Sequence, residues 1–258
     1  MTDAAEPFEA GRVERPDGVG IAYRRFGAPG DPLVLAVHGF ASTSTLTWET
    51  SGWIRGLTAD GRQVLTVDLR GHGESDKPTD ASAYGIGILV DDLVAVLDGV
   101  AVDPVDYLGY SLGSRLGWEL AVRHPELVRS LSLGGLPATE PLLAFDVAAA
   151  SADLAGGESV ADDATRSFLA MIAAPGNDAP ALVALAAGVR VSPRSDEAPA
   201  VPTLLVTGDN DDVARDGIGL VDRVADGRFV AIPGRTHVNT VSARAFKTAT
   251  LEFLGSLG

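Results

Sequence analysis

Residues 109–113 read Gly109-Tyr110-Ser111-Leu112-Gly113, a serine with a glycine two positions to either side. The apolar run before it predicts a buried strand, and the run after it predicts an amphipathic helix. Glycines two positions either side of Ser111 are needed because side chains there would collide with the crossing backbone. Such a turn lifts the serine hydroxyl out at the carboxyl end of a strand, as a nucleophile requires. A glycine-rich bend without chemistry is the alternative, since the chain holds 30 glycines.

Short apolar runs alternate with helical patterns along most of the chain. Eight runs predict strands, at 12–14, 19–26, 33–37, 64–68, 105–108, 131–133, 204–207 and 229–232. Five patterns predict helices, at 48–59, 88–100, 112–124, 213–225 and 238–254. This alternation predicts an α/β fold, with a mainly parallel eight-stranded sheet and helices on both faces. Ligands of such sheets bind beyond the carboxyl ends of the strands.

One segment, 137–199, breaks this rhythm and contains no convincing strand. It is rich in alanine and shows helical patterns at 142–154 and 164–174. A structureless loop of this length would be unusual, and apolar side chains near residue 170 need burial. We therefore expect a small helical cap at 137–199, inserted after the sixth strand of a core domain formed by 1–136 and 200–258. A disordered acidic insertion is the alternative.

The composition excludes several classes of function. The formal net charge of −15 and the lack of a Lys/Arg cluster argue against nucleic acid and against anionic membranes as partners. The chain has no cysteine, which excludes disulfides, thiolate metal sites and cysteine nucleophiles. The acidic start resembles no signal peptide, and no apolar run reaches membrane-spanning length, so we expect a cytoplasmic protein.

A catalytic serine needs a neighbouring base, and that base needs an orienting acid. Of the four histidines, His237 is the best placed base, because it follows the last predicted strand in a loop that would overhang the sheet edge. The acid is expected between nucleophile and base in chain order, where the seventh predicted strand runs into three aspartates. We choose Asp211, with Asp212 and then Asp209 as alternatives. A solvated turn is a further alternative, whereas the spacing of an EF-hand calcium loop is absent.

The tetrahedral oxyanion formed by attack on a carbonyl also needs hydrogen-bond donors. The backbone N–H of Leu112 is one candidate, because it begins the helix beside the serine. The second candidate is the backbone N–H of Phe40, in the loop after the first long parallel strand. No Gly-x-Gly-x-x-Gly, Walker-type or His-Glu-x-x-His motif occurs, so we expect no cofactor and no metal.

Taken together, these stretches resemble the α/β-hydrolase superfamily, from about Val19 to the C-terminus apart from the cap. Four stretches carry the resemblance in family order: His38-Gly39-Phe40, Asp68–Ser75, Gly109–Gly113, and Gly208–Asp211 together with His237. The resemblance implies Ser111 as nucleophile, Asp211 as acid and His237 as base, with Phe40 and Leu112 as oxyanion donors. It also implies a supporting role for Arg70 and His72.

Epoxide hydrolases and haloalkane dehalogenases of this superfamily carry aspartate at the elbow, so the serine excludes those subclasses. Substrate pockets of this kind are mainly apolar. The candidates for lining this one are Phe40, Trp48, Tyr110, Phe168 and Met171. For Trp48 the alternative is core packing, and for Tyr110 it is packing beneath the loop.

The function that the resemblance implies is cofactor-independent hydrolysis of small, fairly apolar carboxylic esters or lactones through an acyl-enzyme. A second hypothesis keeps the three residues and changes the chemistry, to a perhydrolase, C–C bond hydrolase, enol-lactonase, lyase or cofactor-free oxygenase. A third hypothesis is a ligand receptor or scaffold that retains the fold. The oligomeric state does not follow from these residues.

Overall fold

Eight strands form a single sheet in the computed structural model, which describes residues 9–100, 104–157, 162–192 and 195–257. The strands are β1 (Glu9–Glu14), β2 (Gly20–Phe26), β3 (Leu33–Val37), β4 (Gln63–Val67), β5 (Val105–Tyr110), β6 (Val128–Gly134), β7 (Thr203–Gly208) and β8 (Gly227–Ile232). Their order across the sheet is β1-β2-β4-β3-β5-β6-β7-β8. Strand β2 pairs antiparallel with β1 and with β4, and every other pairing is parallel. The predicted fold class is confirmed.

The central strands are apolar because helices cover both of their faces. Every residue of β3, β4, β5 and β7 is buried, which is typical of strands in the middle of a parallel sheet. The α-helices are α1 (Trp53–Ala59), α2 (Ile86–Val100), α3 (Leu112–Arg123), α4 (Val147–Leu154), α5 (Asp163–Ile172), α6 (Ala179–Arg190), α7 (His237–Thr240) and α8 (Arg244–Gly255). Single turns of π or 3₁₀ helix occur at Thr45–Glu49, Ala81–Ala83, Pro125–Leu127 and Pro141–Ala144, and a longer 3₁₀ stretch at Arg215–Arg223.

Two hydrophobic cores lie on opposite faces of the sheet. One contains the apolar sides of α2 and α3 and also receives buried residues of α4, α5 and α6. The other contains the apolar sides of α1 and α8, with Trp48, Trp53 and Phe246 at its centre. Because β5 contributes Tyr107 to the first core and Leu108 to the second, the strand that precedes Ser111 is held from both sides.

Three of the predicted helices differ from the observed ones. The helix predicted over 48–59 is a π turn followed by α1, because Gly52 between them adopts a left-handed φ of 80°. The helix predicted over 238–254 is two helices, α7 and α8, with a break at 241–243. Within the region 213–225, Arg215–Arg223 form a 3₁₀ rather than an α-helix. This stretch contains Gly217, where a Cβ would lie 1.9 Å from the Leu136 carbonyl oxygen.

The segment between β6 and β7 is helical, as its composition indicates. It contains α4 and α5 near the predicted helical patterns, and α6, which the sequence analysis did not predict. Residues 158–161 and 193–194 of the predicted cap lie outside the described residues. Helix α6 packs its Leu182, Leu185 and Val189 side chains into the core on the α2 side of the sheet. The division into a core and a cap domain stays a prediction.

Among the described residues, no helix is both long and apolar enough to cross a lipid bilayer.

Candidate active site

Ser111 lies at a sharp turn between the end of β5 and the start of α3. Its backbone has φ 54° and ψ −113°, one of two positive φ values at non-glycine residues in the described part of the chain. A side chain in this region costs free energy of about 1–3 kcal/mol, and the surrounding structure must supply it. The Ser111 N–H donates to the Gly134 carbonyl of β6 at 2.9 Å, which ties the turn to the neighbouring strand.

The glycines on either side of this turn are required by close backbone contacts. A Cβ on Gly109 would lie 2.7 Å from the Gly113 carbonyl oxygen, and a Cβ on Gly113 would lie 2.1 Å from the Val37 carbonyl oxygen. Real Cβ atoms do not approach backbone so closely. The spacing of glycines at 109 and 113 is therefore a steric consequence of strand and helix crossing beside Ser111.

His237 meets the serine from the loop after β8. Its Nε2 is 2.9 Å from Ser111 Oγ, and its side chain is one-fifth exposed. Thr236 begins α7 with a capping box in which the Thr236 N–H donates to the Asn239 side chain at 2.9 Å. The Tyr110 hydroxyl donates to the His237 carbonyl oxygen. The sequence analysis missed both of these contacts, although the Thr-x-x-Asn spacing beside His237 is a signal of the capping box.

Asp211 is the aspartate that contacts His237. Its Oδ2 is 2.9 Å and its Oδ1 3.1 Å from His237 Nδ1. Oδ1 also accepts the backbone N–H groups of Val213 at 3.0 Å and Ala214 at 2.9 Å. The carboxylate is buried, and these hydrogen bonds fix its orientation.

The other two aspartates of this turn have different partners. Asp209 accepts the Gly234 N–H at 2.7 Å, and exposed Asp212 pairs with Arg215 on the surface. The structure thus places Asp211, and neither alternative, in line with His237 and Ser111.

The loop after β3 lies directly beside the serine. A Cβ on Gly39 would lie 3.2 Å from Ser111 Cβ. Within the described residues, the backbone N–H groups of Phe40 and Leu112 donate no hydrogen bond to another protein group. Two unengaged donors beside a serine suit an oxyanion, because they require no other bond to be broken when the negative charge develops.

Two buried histidines brace this loop. His38 Nε2 accepts the Leu69 N–H at 3.1 Å, which leaves Nδ1–H to donate to the Gly39 carbonyl oxygen at 2.8 Å. Since the C=O and N–H of one trans peptide point in opposite directions, this bond turns the Phe40 N–H away from His38. His72 Nε2 accepts the Ala41 N–H at 3.0 Å.

Burial keeps both imidazoles in their neutral forms. It lowers the pKa of His72 to about 3, with a smaller contribution from His38, and it lowers the pKa of His38 as well. Neutral rings can accept a hydrogen bond at Nε2, as both observed contacts require.

Arg70 lies apart from the serine and anchors the loop after β4. Its guanidinium makes two bonds of 2.8 Å to the buried Asp92 carboxylate on α2 and one of 2.6 Å to Asp17. This position is consistent with the supporting role that the resemblance implies.

The five candidate pocket residues lie in different environments. The Phe40 and Phe168 rings are in edge contact, with centroids 6.1 Å apart, and both side chains are half-buried. The Met171 side chain is 41% exposed at the surface of α5. Tyr110 is buried beneath the His237 loop, and burial raises the pKa of its hydroxyl, which stays a hydrogen-bond donor.

The structure disagrees with Trp48 as a pocket residue. Its side chain has no exposed surface and packs edge-on against Trp53, with ring centroids 5.9 Å apart. Trp48 therefore belongs to the core on the α1 side of the sheet, because the π turn that carries it directs it toward α1 and α8.

Comparisons with known proteins agree with this architecture. A model of the family described as "alpha/beta hydrolase fold" matches residues 32–175. The chain is 36% identical over 118 residues to a 2-hydroxymuconate semialdehyde hydrolase from Pseudomonas sp. (strain CF600), which covers 44% of this chain and 41% of that protein. It is 32% identical over 127 residues to epoxide hydrolase A from Mycobacterium tuberculosis, which covers 49% of this chain and 38% of that protein. The matched region spans less than half the length of these curated relatives.

Solved structures match over nearly the whole chain. A hydrolase from Pseudomonas aeruginosa PA01 has a TM-score of 0.75 and 27% sequence identity, covering 97% of this chain and 100% of that chain. The structure of Rv0554 from Mycobacterium tuberculosis has a TM-score of 0.78 at 22% identity with the same coverage, which shows a shared fold.

Proposed function

The chain belongs to the alpha/beta hydrolase fold family, and on that premise we propose that it is a serine hydrolase of small, fairly apolar carboxylic esters or lactones. The observation that carries the proposal is the continuous chain of contacts from Ser111 Oγ through His237 to Asp211, with 2.9 Å at both junctions. Nucleophile, base and orienting acid stand in the geometry that acyl transfer needs.

The proposed reaction uses each of these groups in turn. His237 Nε2 takes the hydroxyl proton as Ser111 Oγ bonds to the substrate carbonyl carbon, and the carbonyl oxygen becomes an oxyanion. Asp211 holds the proton on Nδ1, so that Nε2 is free to accept. The imidazolium then protonates the leaving alcohol, which departs and leaves an acyl-serine. Water, deprotonated by the same imidazole, releases the acid and regenerates the hydroxyl.

The pocket contacts support an apolar acyl group. Phe40 brings a half-buried aromatic ring next to the proposed oxyanion donor, and Phe168 on α5 packs against that ring. Phe145 continues the aromatic cluster, with its ring centroid 5.6 Å from that of Phe168. All three of these side chains are uncharged and apolar, so burying a neutral, apolar acyl chain beside Phe40 would cost less free energy than burying a charged one.

The nucleophile does not suit the reaction named for the epoxide hydrolase relatives. A serine that opened an epoxide would form an ether, and water does not cleave an ether under the conditions that cleave an ester. An aspartate nucleophile would instead form an ester. We therefore do not extend epoxide hydrolysis to a chain with Ser111 at the elbow.

Carbon–carbon bond hydrolysis is a second candidate, favoured by the 36% identity to the 2-hydroxymuconate semialdehyde hydrolase. The same three residues would serve it, because the carbonyl carbon is again the site of attack. The two candidates differ in the leaving group, which is an alkoxide in one and a stabilised carbanion in the other.

Turnover and labelling test the proposal together. We expect the wild-type protein to hydrolyse p-nitrophenyl butyrate and to be labelled by a fluorophosphonate at Ser111. Ser111→Ala should abolish labelling and lower turnover by several powers of ten, while the protein stays folded. Absence of both turnover and labelling in the wild type would refute the proposal. Consumption of 2-hydroxymuconate semialdehyde without ester turnover would favour the second candidate.

A further inference from the structure

Ala41, which follows the proposed oxyanion donor Phe40, holds an unfavourable backbone conformation. Its φ of 55° is left-handed, and only Ser111 shares this feature among the described non-glycine residues. A Cβ in that region is crowded against the following carbonyl, so the conformation persists only where neighbouring groups hold it. The contacts of Ala41 therefore determine whether the loop keeps its shape.

Asn177 holds Ala41 from the side of the segment between β6 and β7. Its Nδ2 donates to the Ala41 carbonyl oxygen at 3.3 Å and to the Met171 carbonyl oxygen at 3.0 Å. An amide nitrogen carries two hydrogens, so both bonds can form at once. One side chain thus joins the C-terminal end of α5 to the loop that carries Phe40. At its other end, the Ala41 N–H donates to Nε2 of the buried His72 at 3.0 Å.

A second contact links the same two elements. Phe168, one turn before Met171 on α5, packs edge-on against Phe40. Helix α5 therefore touches both Phe40 and, through Asn177, Ala41. A displacement of α5 would act on Phe40, whose N–H is the proposed donor, and on Ala41, the residue that follows it.

We propose that Asn177 is a positioning residue that couples the packing of α5 against the loop to the orientation of the Phe40 N–H in the oxyanion site. The inference rests on the proposed function, since an oxyanion must form for the coupling to affect a rate. When α5 packs against the loop, Asn177 holds the Ala41 carbonyl oxygen and His72 holds the Ala41 N–H. In this arrangement the Phe40 N–H points at the developing charge. Without the Asn177 bond, Ala41 can relax toward an ordinary backbone conformation, and the orientation of the Phe40 N–H then depends more on the His38 bond to the Gly39 carbonyl oxygen.

This role predicts an effect on the transition state and little effect on substrate binding. Loss of a whole oxyanion donor lowers kcat by about 10²–10³-fold. His38 and His72 also restrain the loop, so loss of Asn177 removes only part of the restraint. We therefore expect Asn177→Ala to lower kcat for p-nitrophenyl butyrate about tenfold, with KM changed less than about twofold.

A sulfur analogue separates an oxyanion effect from general damage. In O-(p-nitrophenyl) thionobutyrate the carbonyl oxygen is replaced by sulfur, which is a weak hydrogen-bond acceptor. Hydrolysis of this substrate gains little from the Phe40 N–H. Asn177→Ala should therefore leave thionoester turnover within about twofold of wild type, and the ratio of ester to thionoester kcat should fall about tenfold.

The matched control is the neighbouring residue. Asp178 caps α6 by accepting the Ala181 N–H at 3.0 Å, and no described hydrogen bond joins it to Ala41. Asp178→Ala removes a hydrogen bond of the same segment and should leave the ester to thionoester ratio unchanged. Asn177→Asp keeps the shape of the side chain but places an acceptor opposite two carbonyl oxygens. The ratio of ester to thionoester kcat should therefore fall at least as far in Asn177→Asp as in Asn177→Ala.

The outcomes separate this inference from the proposed function. A selective fall of the ratio in both Asn177 variants, with Asp178→Ala unchanged, supports the coupling. Equal losses on both substrates, no loss, or the same loss in Asp178→Ala overturns the coupling while leaving the serine hydrolase intact. A wild type that neither turns over ester nor is labelled at Ser111 overturns both. Because Asn177 is half-exposed, we expect the variants to fold, and thermal unfolding checks this.

Discussion

Replacing Asp211 by asparagine is the sharpest test of the proposed site, because the structure dictates how the new amide would be oriented. Oδ1 accepts two backbone N–H groups, from Val213 and Ala214. The amide oxygen of an asparagine must occupy that position, since an NH₂ group there would face two donors. The NH₂ group is then directed at His237 Nδ1, where Oδ2 stands in the wild type.

The hydrogen bonds to Oδ1 determine how strongly one orientation of the amide is preferred. Turning the amide over would lose two hydrogen bonds of about 1 kcal/mol each. The orientation with the amide oxygen at the Oδ1 position is therefore favoured by at least about 2 kcal/mol, or about 30-fold. In that orientation Nδ1 must accept, so the proton moves to Nε2 and the imidazole can no longer accept from Ser111 Oγ. Loss of the carboxylate charge beside the imidazolium adds to this. We expect Asp211→Asn to lower kcat by about 10³–10⁴-fold.

The assay compares kcat of the variants on p-nitrophenyl butyrate, with thermal unfolding as a check that each is folded. Asp212→Asn is the control, because the Asp212 side chain is exposed and, among the described residues, pairs with Arg215 at the surface and not with His237. It should retain turnover within about twofold of wild type. If Asp211→Asn keeps more than about one-tenth of the activity, or if Asp212→Asn is the damaged variant, Asp211 does not orient His237.

The remaining predictions concern stability, measured by chemical denaturation. Burial lowers the pKa of His72 in the folded state to about 3, against 6.5 for a free imidazole. Between these two values the unfolded protein binds a proton at His72 that the folded protein does not bind. The contribution of His72 to the free energy of unfolding is therefore complete above about pH 6.5 and is lost as the pH falls. Between about pH 7 and pH 5, protonation of His72 in the unfolded state should lower the free energy of unfolding by about 2 kcal/mol. His72→Gln should remove this part of the dependence of the unfolding free energy on pH. Equal pH dependence in the wild type and the variant would contradict the prediction. Gly113→Ala should lower the free energy of unfolding by about 3 kcal/mol or more, because its Cβ would lie 2.1 Å from a β3 carbonyl oxygen. The control is Gly56→Ala, whose Cβ would have no neighbour within 4 Å, and it should be neutral or stabilising. Asp92→Leu should lower the free energy of unfolding by about 3–5 kcal/mol, because it removes the buried carboxylate that pairs with the Arg70 guanidinium and leaves the half-exposed Asp17 as its carboxylate partner. A loss below about 1 kcal/mol would show that Asp17 or water replaces Asp92.

Much of the fold could be predicted because its signals are local. The apolar runs of the strands, the alternation with helices, and the glycines at 109 and 113 each reflect sterics or burial within a few residues. The helix predictions that were wrong or missing also have local causes. Gly52 and the break at 241–243 divide patterns that read as continuous helices, and α6 is so rich in alanine that its periodicity is weak.

By itself, the sequence determined that a serine would stand at a strand–helix turn with a histidine and a group of aspartates following in order along the chain. Only the tertiary structure decided which aspartate contacts His237, because Asp209, Asp211 and Asp212 differ in partners and burial, not in type. It also decided that Trp48 is a core residue and that Asn177 reaches Ala41, 136 positions earlier in the chain. Such contacts join residues far apart in sequence, and their geometry depends on the packing of whole elements against one sheet.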